Sequence, residues 1–311
     1  MSQVRVEARA LIKRYGNLTA VRDLEFEIGS GEVLGFLGPN GAGKSTTMKM
    51  LTGFLAPSSG TAIINGHDIV EDSLAARRCM GYLPEGAPAY GEMTVRAFLE
   101  FVAGARGYSG AEARSRAAAA LERLNLSRVP EQPIETLSKG FKRRVGLAQA
   151  ILHDPDVLIL DEPTDGLDPN QKHEVRTLIR EMAADKIIVI STHILEEVAA
   201  VCNRAMIIAD GRLLVDDTPA GLLKRSRYHN AVTLEVDQPE RAASVLSELS
   251  QARKVEIREG EVTVFPAEGA ELLEVVSGVV REQGWAVREL RLEKGRMDEV
   301  FRQVTQQEVA A

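Results

Sequence analysis

The chain has 311 residues, which is enough for one large domain or for two of moderate size. Hydrophobic residues make up 44% of it and charged residues 27%, as in ordinary globular proteins with a buried core. The aromatic content of 5% argues against a surface that mainly stacks sugars or bases. The net charge of −7 argues against a nucleic-acid partner, because phosphate binding needs positive charge.

The predicted compartment follows from the cysteines and the apolar runs. Cys79 and Cys202 have no metal-ligand spacing and are typical of small buried side chains in a reducing compartment. The N-terminal segment, MSQVRVEARALIKRYG, has no apolar core of signal-peptide length. The apolar runs VLIL and IIVI have the length of strands rather than of membrane spans. We therefore expect a cytoplasmic chain that reaches a membrane only through a partner.

The first half of the chain predicts strands followed by helices. Residues 3–37 are predicted to form strands, and the last of them, EVLGFLG, runs directly into a helix. A further pair of strands follows around GTAIINGHDI. Helices are predicted over 94–105, with Thr94 as the N-cap, and over 111–126, where alanine is frequent.

Two short apolar strands, DVLILDEP and KIIVIST, are separated by a predicted helix over 169–184. Fully apolar strands that alternate with helices indicate a parallel sheet covered on both faces. A strand pair in RAMIIADGRLLVD follows. The sequence thus predicts an α/β fold for this part of the chain.

The C-terminal part of the chain has a different order of predicted strands and helices. It predicts a strand (AVTLEV), a helix over 239–251, a hairpin (KVEIREGEVTVF), a helix over 269–284 and a strand (AVRELRLE). This β-α-β-β-α-β order is the ferredoxin-like arrangement. A last short helix follows, with Met297, Val300, Phe301 and Val304 on one face. We therefore predict two domains, 1–226 and 227–311.

The sequence GPNGAGKST matches the phosphate-binding pattern G-x-x-x-x-G-K-[ST], between a predicted strand and a predicted helix. Gly41 and Gly43 let successive amides point at the phosphates, Lys44 reaches the β- and γ-phosphates, and Ser45 can ligate Mg²⁺. The predicted nucleotide-binding residues of this loop are Gly38, Pro39, Asn40, Gly41, Ala42, Gly43, Lys44, Ser45 and Thr46.

The phosphate loop alone does not decide the class of protein. A GTPase requires an Asn-Lys-x-Asp base-reading sequence, which the chain lacks, and a small-molecule kinase requires an arginine-rich lid, which is not evident. Asp161 and Glu162 stand at the end of a buried strand, where open α/β sheets bind their ligands. We expect Asp161 to hold Mg²⁺ and Glu162 to act as general base on a water molecule. His193 ends the next strand and is expected at the same edge of the sheet.

A second anion site is predicted in ETLSKGFKRRVGLAQA. Ser138 and Gly140 precede or open a helix whose N-terminus can hold a phosphate. The charged run KGFKRR is predicted to be mostly a solvated helix face.

Together these motifs resemble the nucleotide-binding subunit of an ATP-binding cassette (ABC) transporter, over residues 4–217. GPNGAGKST resembles the Walker A motif, LILDEP the Walker B motif, DGLD the D-loop and LSKG the signature motif, and His193 resembles the switch histidine. The resemblance implies a P-loop NTPase fold with a parallel core sheet, an antiparallel β subdomain and a helical subdomain at about 86–150. It also implies that Tyr15 stacks on adenine and that Asp168 belongs to the nucleotide site.

Some positions depart from the family pattern. Lys139 and Phe141 replace the glycine and glutamine of the usual LSGGQ signature, and Glu85 replaces the Q-loop glutamine. A glutamate still offers an oxygen to Mg²⁺ or water, so we expect Glu85 to keep a metal-binding role. With the C-terminal sequence LRLEKGRMDEVFRQVT, these departures resemble the drug-export, lipid-export and gliding branch of bacterial ABC systems.

The resemblance implies that two copies dimerise head to tail around two Mg·ATP and power separate membrane permease subunits. Each site would join Lys44 of one copy to Ser138 and Gly140 of the other. No nucleic-acid partner is expected, and the subunit would lie at the cytoplasmic face of the membrane. The alternative is a soluble ABC-type ATPase that remodels nucleic acid or ribosomes. Such families use tandem cassettes or long coiled-coil insertions, neither of which is evident here.

Overall fold

The computed structural model describes residues 5–307, and the chain divides into two compact units, 1–217 and 218–311. Residues 3 and 4 of the first predicted strand, and residues 308–311 of the predicted C-terminal domain, lie outside the described part. The division by contacts falls before residue 218, earlier than the predicted boundary after residue 226.

The first unit contains ten strands and seven α-helices among its described residues. In chain order they are Arg5–Tyr15 (β1), Leu18–Gly29 (β2), Val33–Leu37 (β3), Lys44–Leu51 (α1), Ser59–Ile64 (β4), His67–Asp68 (β5), Ser73–Arg78 (α2), Met80–Leu83 (β6), Val95–Ala105 (α3), Gly110–Arg123 (α4), Lys139–Ile151 (α5), Val157–Asp161 (β7), Pro169–Met182 (α6), Ile187–Thr192 (β8), Leu195–Val201 (α7), Arg204–Ala209 (β9) and Arg212–Asp217 (β10).

The central sheet has six strands in the order β10-β9-β3-β8-β7-β6. The five strands from β9 to β6 are parallel, and only the edge strand β10 runs antiparallel to its neighbour. Every residue of β3, β7 and β8 is buried, as their mainly apolar sequences predict for a sheet covered on both faces. The carboxyl ends of these three strands therefore meet at one edge.

A second, antiparallel sheet has the order β2-β1-β4-β5. Helices α3, α4 and α5 contribute Phe98, Ala117 and Leu147 to an apolar core that they share with strands of the central sheet. The Thr94 hydroxyl accepts a hydrogen bond from the Ala97 amide, as predicted for an N-cap. The antiparallel sheet and the helical region predicted for this unit are thus both observed.

The second unit follows the predicted β-α-β-β-α-β order. Its described elements are Pro219–Lys224 (α8), Val232–Val236 (β11), Pro239–Ser247 (α9), Ala252–Arg258 (β12), Glu261–Pro266 (β13), Leu273–Gln283 (α10), Val287–Leu292 (β14) and Met297–Gln307 (α11). The strands form an antiparallel sheet in the order β12-β13-β11-β14, with an apolar core that includes Leu234, Leu246 and Val276. Within residues 5–307, no helix is both long and apolar enough to cross a membrane.

Candidate nucleotide and active site

The phosphate loop, residues 38–46, joins β3 to α1, and glycine is required at two of its positions. Gly43 has a φ of +101°, and a Cβ there would lie 2.5 Å from the carbonyl oxygen of Ala20. A Cβ on Gly38 would lie 2.4 Å from the carbonyl oxygen of Ile208. The loop is therefore packed closely against neighbouring backbone, and the position of its amides is fixed.

Lys44 begins α1, and its side chain is buried in the loop. Its Nζ donates hydrogen bonds to the carbonyl oxygens of Gly38 at 2.7 Å and Pro39 at 3.1 Å. Burial lowers the pKa of Lys44, and the negative charges of Glu162 and Asp161 oppose that effect in part. The two Walker B-like carboxylates therefore lie within electrostatic range of the Lys44 ammonium.

Asp161 ends β7 and is completely buried. Neither of its carboxylate oxygens has a hydrogen-bond partner within the described residues. Buried carboxylates are normally paired or bound to a metal, so this carboxylate fits a cation such as Mg²⁺. No group of three His, Cys, Asp or Glu side chains between residues 5 and 307 could hold a metal alone. A Mg²⁺ here would share its coordination with phosphate oxygens, as this ion commonly does.

Glu162 and His193 are brought together as the sequence predicted. His193 Nδ1 lies 2.8 Å from Oε1 of Glu162, and an ionised carboxylate only accepts, so the imidazole donates. The Glu162 side chain is 15% exposed and that of His193 is 57% exposed. Glu162 also has a φ of +52°, a strained backbone conformation of the kind that collects at functional sites. The pair is therefore partly open to solvent.

Glu85 follows β6 and is exposed. Its negative charge acts on the pKa of Lys44 and of Arg143, so it lies within electrostatic range of both. The hydroxyl of Tyr82, three residues earlier, is buried without a partner in the described part of the chain, and burial raises the pKa of Tyr82. Tyr82 could not be identified from the sequence, because an aromatic residue in a strand is usually a core residue.

The prediction that KGFKRR forms a solvated helix face is wrong for Arg143 and Arg144, which are only 4% and 8% exposed. The Arg143 guanidinium donates to the carbonyl oxygens of Asp161, Glu162 and Pro84, the first at 2.6 Å and the last at 3.2 Å. Burial lowers the pKa of Arg143, and an arginine remains charged through such a shift. Helix α5 is therefore tied to the ends of β6 and β7, a tertiary contact that no local pattern reveals.

Replacing Arg143 by methionine is expected to destabilise the chain by about 2–4 kcal/mol, because buried carbonyl groups lose their donor. The urea midpoint of unfolding measures this. Lys142→Met is the matched control, since the neighbouring Lys142 makes a single hydrogen bond to the Glu135 carbonyl at a more open position. Equal midpoints for Arg143→Met and the unchanged chain would contradict the structural role of Arg143.

The remaining predicted site residues lie elsewhere. Ser138 caps α5, and its hydroxyl accepts from the Phe141 amide at 3.4 Å. Asp168 caps α6 and accepts from the Gln171 amide at 2.9 Å. Within residues 5–307, no hydrogen bond or ion pair joins Ser138, Gly140 or Asp168 to the phosphate loop. Tyr15, at the end of β1, is 48% exposed and therefore open to a flat ligand.

The chain is similar in sequence to known ATP-binding proteins. A family model described as ABC transporter matches residues 21–165. The daunorubicin/doxorubicin resistance ATP-binding protein DrrA of Streptomyces peucetius is 33% identical over 308 residues, which cover 96% of this chain and 92% of that protein. The chain belongs to the ABC transporter family.

A second curated relative and a solved structure are also similar to this chain. The probable multidrug ABC transporter ATP-binding protein YbhF of Escherichia coli is 37% identical over 71% of this chain, but the match spans only 38% of YbhF. A solved structure of the cassette MJ0796, described as a dimer in a post-hydrolysis state bound to ADP and Pi, has a TM-score of 0.64. At 24% identity, with 69% of this chain and 98% of that chain covered, it shows a shared fold.

The ABC assignment confirms the predicted fold class of the first unit and the predicted resemblance to drug-export ATP-binding proteins. As an ABC cassette, the chain binds ATP and is an ATPase. The roles of individual residues and the ferredoxin-like class of the second unit stay predictions.

Proposed function

We propose that this ABC subunit powers a membrane exporter by ATP-driven head-to-tail dimerisation and Mg²⁺-dependent hydrolysis. The proposal is supported by four side chains at one edge of the sheet: Lys44, Asp161, Glu162 and His193. The second anion site lies on a separate helix, which Ser138 caps. These would be two complementary parts of a nucleotide site.

Hydrolysis needs a water molecule that attacks the γ-phosphorus while its bond to the ADP oxygen breaks. Glu162 takes a proton from that water, and His193 orients the carboxylate by donating to its Oε1. Ser45, Asp161 and Glu85 would hold Mg²⁺, which neutralises phosphate charge when bound. Lys44 and the amides of the phosphate loop bind the phosphates. Tyr15 would stack on the adenine ring.

The second copy would complete the site. Helix α5 begins at Lys139 behind its Ser138 cap, and the N-terminus of a helix attracts an anion. In a head-to-tail pair, Ser138 and Gly140 of one copy would meet the γ-phosphate held by Lys44 of the other, with Asp168 near the shared interface. The dimeric state described for the MJ0796 cassette supports this arrangement.

The partner is proposed to be a separate integral-membrane permease, because relatives carry the names of transporter and drug-resistance ATP-binding proteins. A groove of about 660 Å³ offers a surface for it, and Phe54 and Leu74 on its rim are 75% and 60% exposed. Pro84 also lines the groove, and its carbonyl accepts from Arg143, which bonds Asp161 as well. This link would carry motion between the ATP site and the permease. The subunit would then lie at the cytoplasmic face of the membrane.

Phe54→Glu is expected to abolish association with the permease and transport, while the isolated subunit keeps its ATPase activity. A glutamate charge at the exposed position of Phe54 opposes burial against an apolar partner but leaves the fold of the subunit unchanged. Co-purification with the permease and export from vesicles measure the effect. Leu292→Glu, at a 46% exposed position in the second unit, is the control. Full transport by Phe54→Glu would refute the groove as docking surface, and ATPase stimulation by nucleic acid or ribosomes rather than by a permease would refute the exporter function.

A further inference from the structure

Glu197 is a buried carboxylate to which no part of the proposed reaction assigns a role. It lies on α7, and its side chain is 4% exposed. Two threonine hydroxyls donate to it, Thr164 to Oε1 and Thr192 to Oε2, the latter at 3.1 Å. Two cations of α6 lie nearby, Lys172 Nζ at 3.7 Å and Arg176 Nη2 at 3.9 Å from Oε1. A carboxylate removed from water depends on such partners.

The two threonines flank the proposed catalytic pair. Thr164 follows Glu162 by two residues in the turn after β7, and Thr192 ends β8 directly before His193. Glu197 therefore joins the two segments that carry Glu162 and His193. A displacement of either segment would break one of its hydrogen bonds.

Thr192 also connects the two glutamates. Its hydroxyl lies 3.1 Å from Oε2 of Glu197 and 3.3 Å from Oε2 of Glu162, and it accepts a hydrogen bond from the Ile194 amide. A hydroxyl has one hydrogen and donates it to only one of the carboxylates at a time. Glu197 is the more deeply buried and depends on protein donors, whereas Glu162 can accept from water. The nearer, buried carboxylate is thus the better acceptor for this hydrogen.

We propose that Glu197 is a positioning residue for ATP hydrolysis. By accepting the Thr192 hydrogen, it leaves Oε2 of Glu162 free to accept the proton of the attacking water. By binding Thr164 and Thr192 together, it fixes the distance between Glu162 and His193. The inference rests on the proposed role of Glu162 as general base.

The test compares full-length variants in steady-state ATPase kinetics. Glu197→Gln keeps the size of the side chain but replaces one of its two acceptor oxygens by a donor amide, so it cannot accept from both threonines as the carboxylate does. It is expected to lower kcat roughly 10- to 100-fold with KM for ATP unchanged. Thr192→Val is expected to lower kcat similarly, and Thr192→Ser should rescue most of that loss because it keeps the hydroxyl. Glu196→Gln, the exposed neighbour on the same helix, is the control and should match the unchanged chain.

Coupling to the general base separates positioning from a structural role. In a Glu162→Gln background, Glu197→Gln is expected to cause no further loss of the residual rate. Binding of a non-hydrolysable Mg·ATP analogue and the melting temperature should stay unchanged in Glu197→Gln. A kcat within twofold of the unchanged chain, or a loss of kcat that only follows a loss of binding or of melting temperature, would overturn the proposal. Normal hydrolysis by Glu162→Gln alone would overturn the proposed base and this inference together.

Discussion

Replacing Glu162 by glutamine is expected to lower the rate of ATP hydrolysis by about a thousandfold while ATP binding is retained. The amide has the shape of the carboxylate but cannot take a proton from the attacking water. Since Lys44 and the phosphate loop are unchanged, the variant should hold ATP, and its ATP-bound dimer should accumulate. The effect is large because no other carboxylate bonded to His193 is found in the described part of the chain.

Phosphate release and light scattering with and without Mg·ATP measure these two effects. Glu181→Gln, which removes an exposed carboxylate on α6, is the matched control and should hydrolyse ATP normally. An active Glu162→Gln variant would show that another group is the base. Loss of both hydrolysis and ATP binding would show that Glu162 is needed for the fold of the site rather than for the reaction.

The second large effect is expected at Lys44. Its ammonium is buried within the phosphate loop, and Lys44→Met removes the only loop side chain that carries a positive charge. ATP affinity should fall at least about 100-fold, because buried charge-assisted contacts to phosphate are strong. Isothermal titration with Mg·ATP measures the change. Lys49→Met, on the same helix but nearer its other end, should bind normally, and a comparable loss there would indicate a general defect of α1.

The parts of the site that could be predicted from the sequence are those encoded locally. The phosphate loop requires glycine, lysine and serine within nine positions. A side chain in place of Gly43 would put its Cβ 2.5 Å from the carbonyl oxygen of Ala20, which explains why glycine stands there. The meeting of Glu162 and His193 could also be predicted, because both follow apolar strands that are parallel neighbours.

Other features depend on tertiary contacts and could not be predicted. Arg143 lies in a run of charges whose pattern favours a solvated face, yet it is buried by the ends of β6 and β7. Glu197 accepts a hydrogen bond from Thr164, which lies 33 positions earlier in the sequence. Some helix ends also differ from the prediction. Helix α4 ends at Arg123 rather than at the predicted residue 126, because Asn125 adopts a φ of +53°.

If each ATP site is shared by two copies, two inactive variants should restore activity to each other when they are mixed. Lys44→Met disables the phosphate loop of a copy, and Ser138→Arg disables its α5 anion site. In a mixed dimer, one site combines both defects and the other combines the intact loop of one copy with the intact Ser138 of the other. An equal mixture should therefore recover about a quarter of the unchanged ATPase rate, since half of the dimers carry one intact site of two. If both parts of a site came from the same chain, mixing would restore nothing, so a rate no higher than that of either variant alone would show that the ATP site is not shared.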